Sequence, residues 1–138
     1  VHRLRPVILE QAGFYRASEH CCAEWSKQVV VRCNWRSLEE PSLTDAQSIQ
    51  LFRILQEALN NVAKHAQAQQ VWVSLRSVDE NLQLLIEDDG IGYDPERVSR
   101  GVGVLSMQER ARALNGQLDL RSCPGQGVKL LIGIPLEA

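Results

Sequence analysis

Three side chains of complementary chemistry stand at Glu57, Asn61 and Lys64. Their spacing of i, i+4 and i+7 puts them on one stripe of a helix, well away from its apolar face. Asn61 offers a neutral oxygen that suits a hard cation such as Mg2+. Lys64 offers a point charge for phosphate, and Glu57 a carboxylate that can orient or deprotonate a nucleophile. An ordinary solvated helix face would carry the same residues.

A second group lies in Glu87-Asp88-Asp89-Gly90-Ile91-Gly92. Asp88 shares parity with Leu82, Leu84 and Ile86, so a strand running that far turns its carboxylate toward the core. A buried carboxylate is expensive without donors, and the amino group of an adenine would supply one. Gly90 and Gly92 leave the backbone free to approach a flat ring. An Asp-Gly turn at a strand end has the same letters. Gly101-Val102-Gly103 directly precedes a helix, where free amides and the positive dipole end hold phosphate; a plain loop also fits. Residues 93–100 read as a small lid or as a simple loop. Gly125-Gln126-Gly127 reads as a hairpin turn or as the base of a pocket. His65 ends the long helix, where the dipole favours a cation. His2 and His20 have no evident partner, and Trp25, Trp35 and Trp72 read as packing residues.

The elements that must position these groups follow from periodicity. Residues 6–27 read as a helix interrupted near Gly13, and residues 28–35, with Val29, Val30 and Val31, as a strand. Thr44 precedes Gln47 by three positions, a capping-box pattern that starts a long helix. Leu51, Leu55, Ala58, Leu59, Val62 and Ala66 share its apolar face, and it ends near His65 or Ala66. Residues 71–76 and 82–87 alternate as two strands around a turn at 79–81. A helix over 104–114 stops at Asn115-Gly116, and residues 117–121 and 128–135 form two further strands. This order predicts a two-layer α/β sandwich, its mixed and mostly antiparallel sheet covered on one face by about three helices.

Composition narrows the function classes. A chain of 138 residues fits one domain. The formal net charge of -2 argues against nucleic acid as a partner. No apolar run reaches the roughly 20 residues of a membrane span. Cys21, Cys22, Cys33 and Cys123 form no C-x-x-C pair. They read as small buried hydrophobes in a reducing compartment. The start at Val1 reads as that of an excised piece.

The four motifs occur together in order, and the order carries a resemblance. The segment from Glu57 through Asn61 to Lys64-His65 resembles the N box of the histidine-kinase ATPase family. Asp88-Asp89-Gly90-Ile91-Gly92 resembles its first glycine box, the segment Gly101 to Arg110 its second, and Gly125-Gln126-Gly127 its last. The whole is similar to the ATP-binding catalytic domain of sensor histidine kinases, whose Bergerat fold is shared with gyrase, Hsp90 and MutL. Lys64-His65-Ala66, Met107-Gln108-Glu109-Arg110 and Leu4-Arg5-Pro6 look like the subfamily of nitrate and hexose-phosphate sensors.

The resemblance implies roles. Asp88 binds the adenine amino group, Asn61 ligates Mg2+, and Lys64 and His65 face the phosphates of ATP. Glu57 helps activate the accepting histidine, while Gly101 and Gly103 bound the lid and contact phosphate. Residues 1–6 are then the end of a linker from a dimerisation and phospho-acceptor domain, and a response regulator is the downstream partner. A cytoplasmic, monomeric domain is implied, with anchoring of the parent protein in the inner membrane left open. Val128 stands where the last box has threonine, which removes a hydroxyl near the adenine. A serine kinase or clamp ATPase is the first alternative, disfavoured by the short lid and the Lys64-His65-Ala66 wording. A nucleotide-free interaction module is the second, supported by Val128 alone.

Overall fold

The computed structural model describes residues 7–92 and 104–136, apart from the side chains of Val7, Ile8, Gln11 and Ala66. The linker expected at 1–6, the lid at 93–100, and Gly101 and Gly103 lie outside the described residues.

Helix α1 (Val7–Val29) turns Phe14, Ala17 and Cys22 into the core and is kinked at Gly13, where φ is 83°. That left-handed value is one glycine reaches without strain. The strand expected at 28–35 begins late. Val29 is still helical, Val30 is left-handed (φ 59°) and exposed, and strand β1 spans Arg32–Ser37. The three valines carry β propensity, but packing decides between helix and strand. The Val30 N–H donates to the Ser26 carbonyl at 3.1 Å and closes the helix there.

Helix α2 (Asp45–Asn61) starts at the expected capping box. The Gln47 N–H donates to Thr44 Oγ1 at 3.1 Å, and the Thr44 N–H donates to Gln47 Oε1 at 2.9 Å. Its buried stripe of Leu51, Phe52, Ile54, Leu55, Ala58 and Leu59 lies against the sheet. Beyond Asn61 the chain does not stay α-helical. Val62–Ala66 forms a wider π-helical turn that ends at left-handed Gln67.

Strands β2 (Gln70–Val78) and β3 (Asn81–Asp88) form the expected hairpin, with Asp79 and Glu80 both at positive φ. This is the backbone twist that a two-residue hairpin loop requires. Helix α3 (Val104–Ala113) packs on Val104, Met107 and Ala111. It ends with the Gly116 N–H on the Ala111 carbonyl and the Asn115 N–H on that of Arg112, both at 2.9 Å, the Schellman pattern. Strands β4 (Gln117–Ser122) and β5 (Val128–Pro135) complete the sheet.

The sheet order is β1-β2-β3-β5-β4; β1 and β2 are parallel, and the other neighbours are antiparallel. Val71, Val73, Leu75, Leu82, Leu84, Ile86, Ile132 and Ile134 alternate onto the buried face, where the helices lie. Trp72, on the other face, is 39% exposed, whereas Trp25 and Trp35 pack against the core. The expectation that all four cysteines are buried fails at Cys123. It sits in the β4–β5 connection and is exposed, because no element covers that turn.

Candidate functional site

A cavity of about 470 Å³, counting its open mouth, lies between the C-terminal end of α2, the π-helical turn and the ends of β3 and β5. Ala58, Val62, Ile86, Met107 and Leu130 give it apolar walls, and Asn61, His65 and Asp88 bring polar groups to it. A mostly apolar hollow with a few convergent polar groups is the usual form of a small-molecule site.

Asp88 is the last residue of β3 and only 6% exposed. The inward parity read from Leu82, Leu84 and Ile86 is therefore the observed one. Its Oδ1 accepts the Gly90 N–H at 2.8 Å, and the backbone N–H of Val128 also donates to the carboxylate. Burial pushes the Asp88 pKa above the ordinary carboxylate value, the two backbone donors pull it down, and the neighbouring charges of Asp89 and Glu87 push it up, for a net rise. A carboxyl group in such a wall favours a ligand that brings a further donor.

The neighbouring Asp89 does something else. Its Oδ1 accepts the N–H groups of Gln69 at 2.9 Å and Gln70 at 3.0 Å, tying the end of β3 to the start of β2. Sequence reasoning gave this residue no role, although the same alternation that turns Asp88 inward turns Asp89 out.

The glycines act largely through the protein's own backbone. A Cβ on Gly92 (φ 66°) would sit 2.1 Å from the Cys123 carbonyl oxygen. One on Gly127 (φ 75°) would sit 2.1 Å from the carbonyl oxygen of Asp88. The Gly125 N–H also donates to the Ile91 carbonyl. The turn at 125–127 is thus both a hairpin turn and the support behind Asp88. Gly127→Ala is expected to destabilise the fold by about 2–4 kcal/mol, from the left-handed φ and the forced shift of β3. Chemical denaturation measures it; a loss below about 1 kcal/mol would show that the contact relaxes freely.

The stripe of Glu57, Asn61 and Lys64 is not carried to one place. Asn61 lines the cavity, Lys64 is exposed, and His65 reaches the rim. The π-helical turn explains this. It holds about one more residue per turn than an α-helix, so the α-helical stripe is broken after Asn61. Glu57 is half-buried beside α3, its Oε1 4.0 Å from the Nε of Arg110. Arg110 in turn donates from Nη1 to Gln50 Oε1 at 2.8 Å. Arg110 stands in the sequence only as part of the second glycine-box motif, and no spacing announces its pairing with Glu57. Val128 lines the cavity with its side chain while its amide serves Asp88.

Among the described residues no three His, Cys, Asp or Glu side chains converge as metal ligands. Mg2+ needs few protein ligands when phosphates and waters supply the rest, so one amide oxygen at Asn61 on the cavity wall fits it. No described helix is long and apolar enough to cross a membrane.

Comparison with known proteins follows the same lines. The profile of the histidine kinase-, DNA gyrase B-, and HSP90-like ATPase family matches residues 46–138. The chain is 38% identical over 136 residues to the signal transduction histidine-protein kinase/phosphatase UhpB of Salmonella typhimurium, covering 96% of this chain and 27% of that protein. It is 36% identical over 140 residues to the sensor histidine kinase ComP of Bacillus subtilis, covering 98% of this chain and 18% of that one. The chain therefore spans about a quarter or less of these relatives' length. Among solved structures, the histidine kinase domain of the blue-light activated kinase EL346 from Erythrobacter litoralis superposes with a TM-score of 0.78 at 17% identity, over 89% of this chain and 61% of that chain. The histidine kinase AdeS of Acinetobacter baumannii gives 0.73 at 18% identity, over 89% of this chain and 63% of that chain. At such identities the structures bear on the fold, which is the expected two-layer α/β sandwich with three helices on a mixed five-stranded sheet.

Proposed function

This chain belongs to the histidine kinase-, DNA gyrase B- and HSP90-like ATPase family, and on that footing we propose that it binds Mg-ATP in the Asp88 cavity and transfers the γ-phosphoryl group to a histidine on a dimerisation helix of its parent protein. The phosphoryl group then passes to a response regulator. The observation that carries the reading is a buried carboxylate, anchored by the Gly90 and Val128 amides, opening onto an apolar hollow.

In this reading Asp88 accepts a hydrogen bond from the adenine amino group, while Ile86, Met107 and Leu130 pack against the ring. Asn61 would hold Mg2+, which supplies charge neutralisation along the triphosphate. His65 at the rim and the exposed Lys64 approach the phosphates, and Gly101 and Gly103 bound the lid and contact phosphate through their amides. Glu57 takes the proton from, or orients, the accepting histidine, with Arg110 fixing its carboxylate from α3. Phosphoryl transfer rests on positioning and charge stabilisation more than on covalent chemistry. A supply of ATP and a soluble regulator place this work on the cytoplasmic side.

The 138-residue chain alone is expected to bind ATP without acquiring phosphohistidine, whereas the full-length protein phosphorylates itself. Incubation of both with γ-labelled ATP, followed by acid treatment to remove phosphohistidine, checks this. Stoichiometric acid-labile label on the short chain would contradict the division of labour, and acid-stable label on a partner serine would favour the serine-kinase alternative.

A further inference from the structure

A second cluster of nucleophilic groups lies away from the cavity, where α1 meets β1. Cys22 and Ser26 are four residues apart and so share one face of α1. Ser26 Oγ donates to the Val31 carbonyl at 2.5 Å and accepts the Cys33 N–H at 3.3 Å. These bonds clamp the left-handed turn at Val30 and fold β1 back along the end of the helix. One turn further up the same face, the Cys22 and Cys33 side chains lie against each other. Cys22 is 1% exposed, whereas Cys33 is only half-buried. Cys21 lies close enough to Cys33 for the two to repel as thiolates.

We propose that Cys22 and Cys33 are a peroxide-reactive dithiol, a redox-modification site that closes to a disulfide joining α1 to β1. Cys33 is the attacking group. It is the more accessible of the two, and the neighbouring Cys22 thiol holds it below the usual range, while that same pairing and burial push Cys22 up. The Cys33 thiolate attacks one oxygen of hydrogen peroxide, forming S–O as O–O breaks. The leaving hydroxide takes a proton and departs as water, which leaves a sulfenic acid. Cys22 sulfur then attacks Cys33 sulfur, forming S–S as S–O breaks, and the Cys22 proton leaves with the hydroxyl as a second water. Two thiols are oxidised and one peroxide is reduced to two waters. A sulfenic acid with a resolving thiol already in contact is trapped before it over-oxidises.

The site is separate from the nucleotide machinery. Cys33 pairs in register with Val71, and Val71 with Asp88, so Cys33 stands two strand spacings, about 10 Å, from that carboxylate. The test uses the full chain with exposed Cys123 changed to serine, which removes intermolecular coupling through that thiol. Treated with hydrogen peroxide, this protein is expected to lose two of its remaining thiols. It should stay monomeric on a non-reducing gel and yield one cross-linked peptide pair, resolved by fragmentation to Cys22–Cys33. Dithiothreitol should restore both thiols. Adding Cys33→Ser should abolish the cross-link, with an unchanged melting curve showing that the fold survives. The proposal is overturned if Cys33 stays open to alkylation at peroxide concentrations that oxidise Cys123 in the wild type. A cross-link that runs through Cys21 and persists in Cys22→Ala overturns it equally.

Discussion

Asp88→Asn is expected to weaken Mg-ATP binding by about 10- to 100-fold and, in the absence of nucleotide, to raise the melting temperature at pH 7. The first effect follows from donor counting. The carboxylate accepts from the Gly90 and Val128 amides and, in the proposed complex, from the adenine amino group. An amide has one oxygen, so its NH2 must face either a backbone donor or the adenine. A hydrogen bond to a charged group is worth about 1.5–3 kcal/mol, which is the stated factor in affinity. The second effect follows from the raised pKa of Asp88. Between the ordinary carboxylate value of about 3.9 and that raised value, the native state holds its proton more readily than the unfolded chain. Stability therefore falls as pH rises through this window, and the penalty is complete above it. Asparagine carries no such penalty, so the melting-temperature gain should shrink as pH falls toward about 4. Calorimetric titration and thermal melts across pH measure both. Unchanged affinity would remove Asp88 from the site, and a lower melting temperature at pH 7 would show that its charge is favourably placed without ligand.

Glu57→Gln separates chemistry from binding. In the full-length protein this variant is expected to lower the rate of histidine phosphorylation by about 10²–10⁴-fold, the usual contribution of a positioned general base. Glu57 lies outside the cavity lining, so nucleotide affinity should be unchanged. The fold should survive as well. The Glu57–Arg110 pair is 4.0 Å long and about one-third exposed on both sides, a setting in which ion pairs contribute about 0–1 kcal/mol. Single-turnover phosphorylation at saturating ATP, beside calorimetry of the same variant, gives the two numbers. A loss of affinity with an unchanged rate would reassign Glu57 from the accepting histidine to the nucleotide.

Much of this arrangement is legible in the sequence because it rests on local rules. The capping box at Thr44 and Gln47, the stop at Asn115-Gly116 and the parity of Asp88 with Ile86 each follow from contacts within one element. The resemblance extended this reading along nearly the whole chain, and the family match covers residues 46–138. The misreadings come where tertiary context decides. Three valines at 29–31 suggested a strand, yet the helix runs to Val29 because α1 still has a face to bury. Nothing in Val62-Ala63-Lys64-His65-Ala66 marks a π-helical turn, so the stripe from Glu57 to Lys64 looked continuous. Gly92 reads in the sequence as room for a ligand and Gly127 as part of a turn or a pocket base, but beside both the space is taken by backbone carbonyls from distant parts of the chain. The approach of Arg110 to Glu57 and of Cys33 to Cys22 likewise depends on which elements pack together.

If the Asp88 cavity recognises adenine, calorimetric titration of the wild-type chain with non-hydrolysable analogues of ATP and GTP, each with Mg2+, will separate the two nucleotides. The carboxylate can accept from the amino group at the 6-position of adenine, while guanine presents a carbonyl oxygen there, an acceptor against an acceptor. Saturable single-site binding of the ATP analogue, at least about 100-fold tighter than that of the GTP analogue, is expected. Equal affinity for the two, or no saturable binding of either, would contradict it.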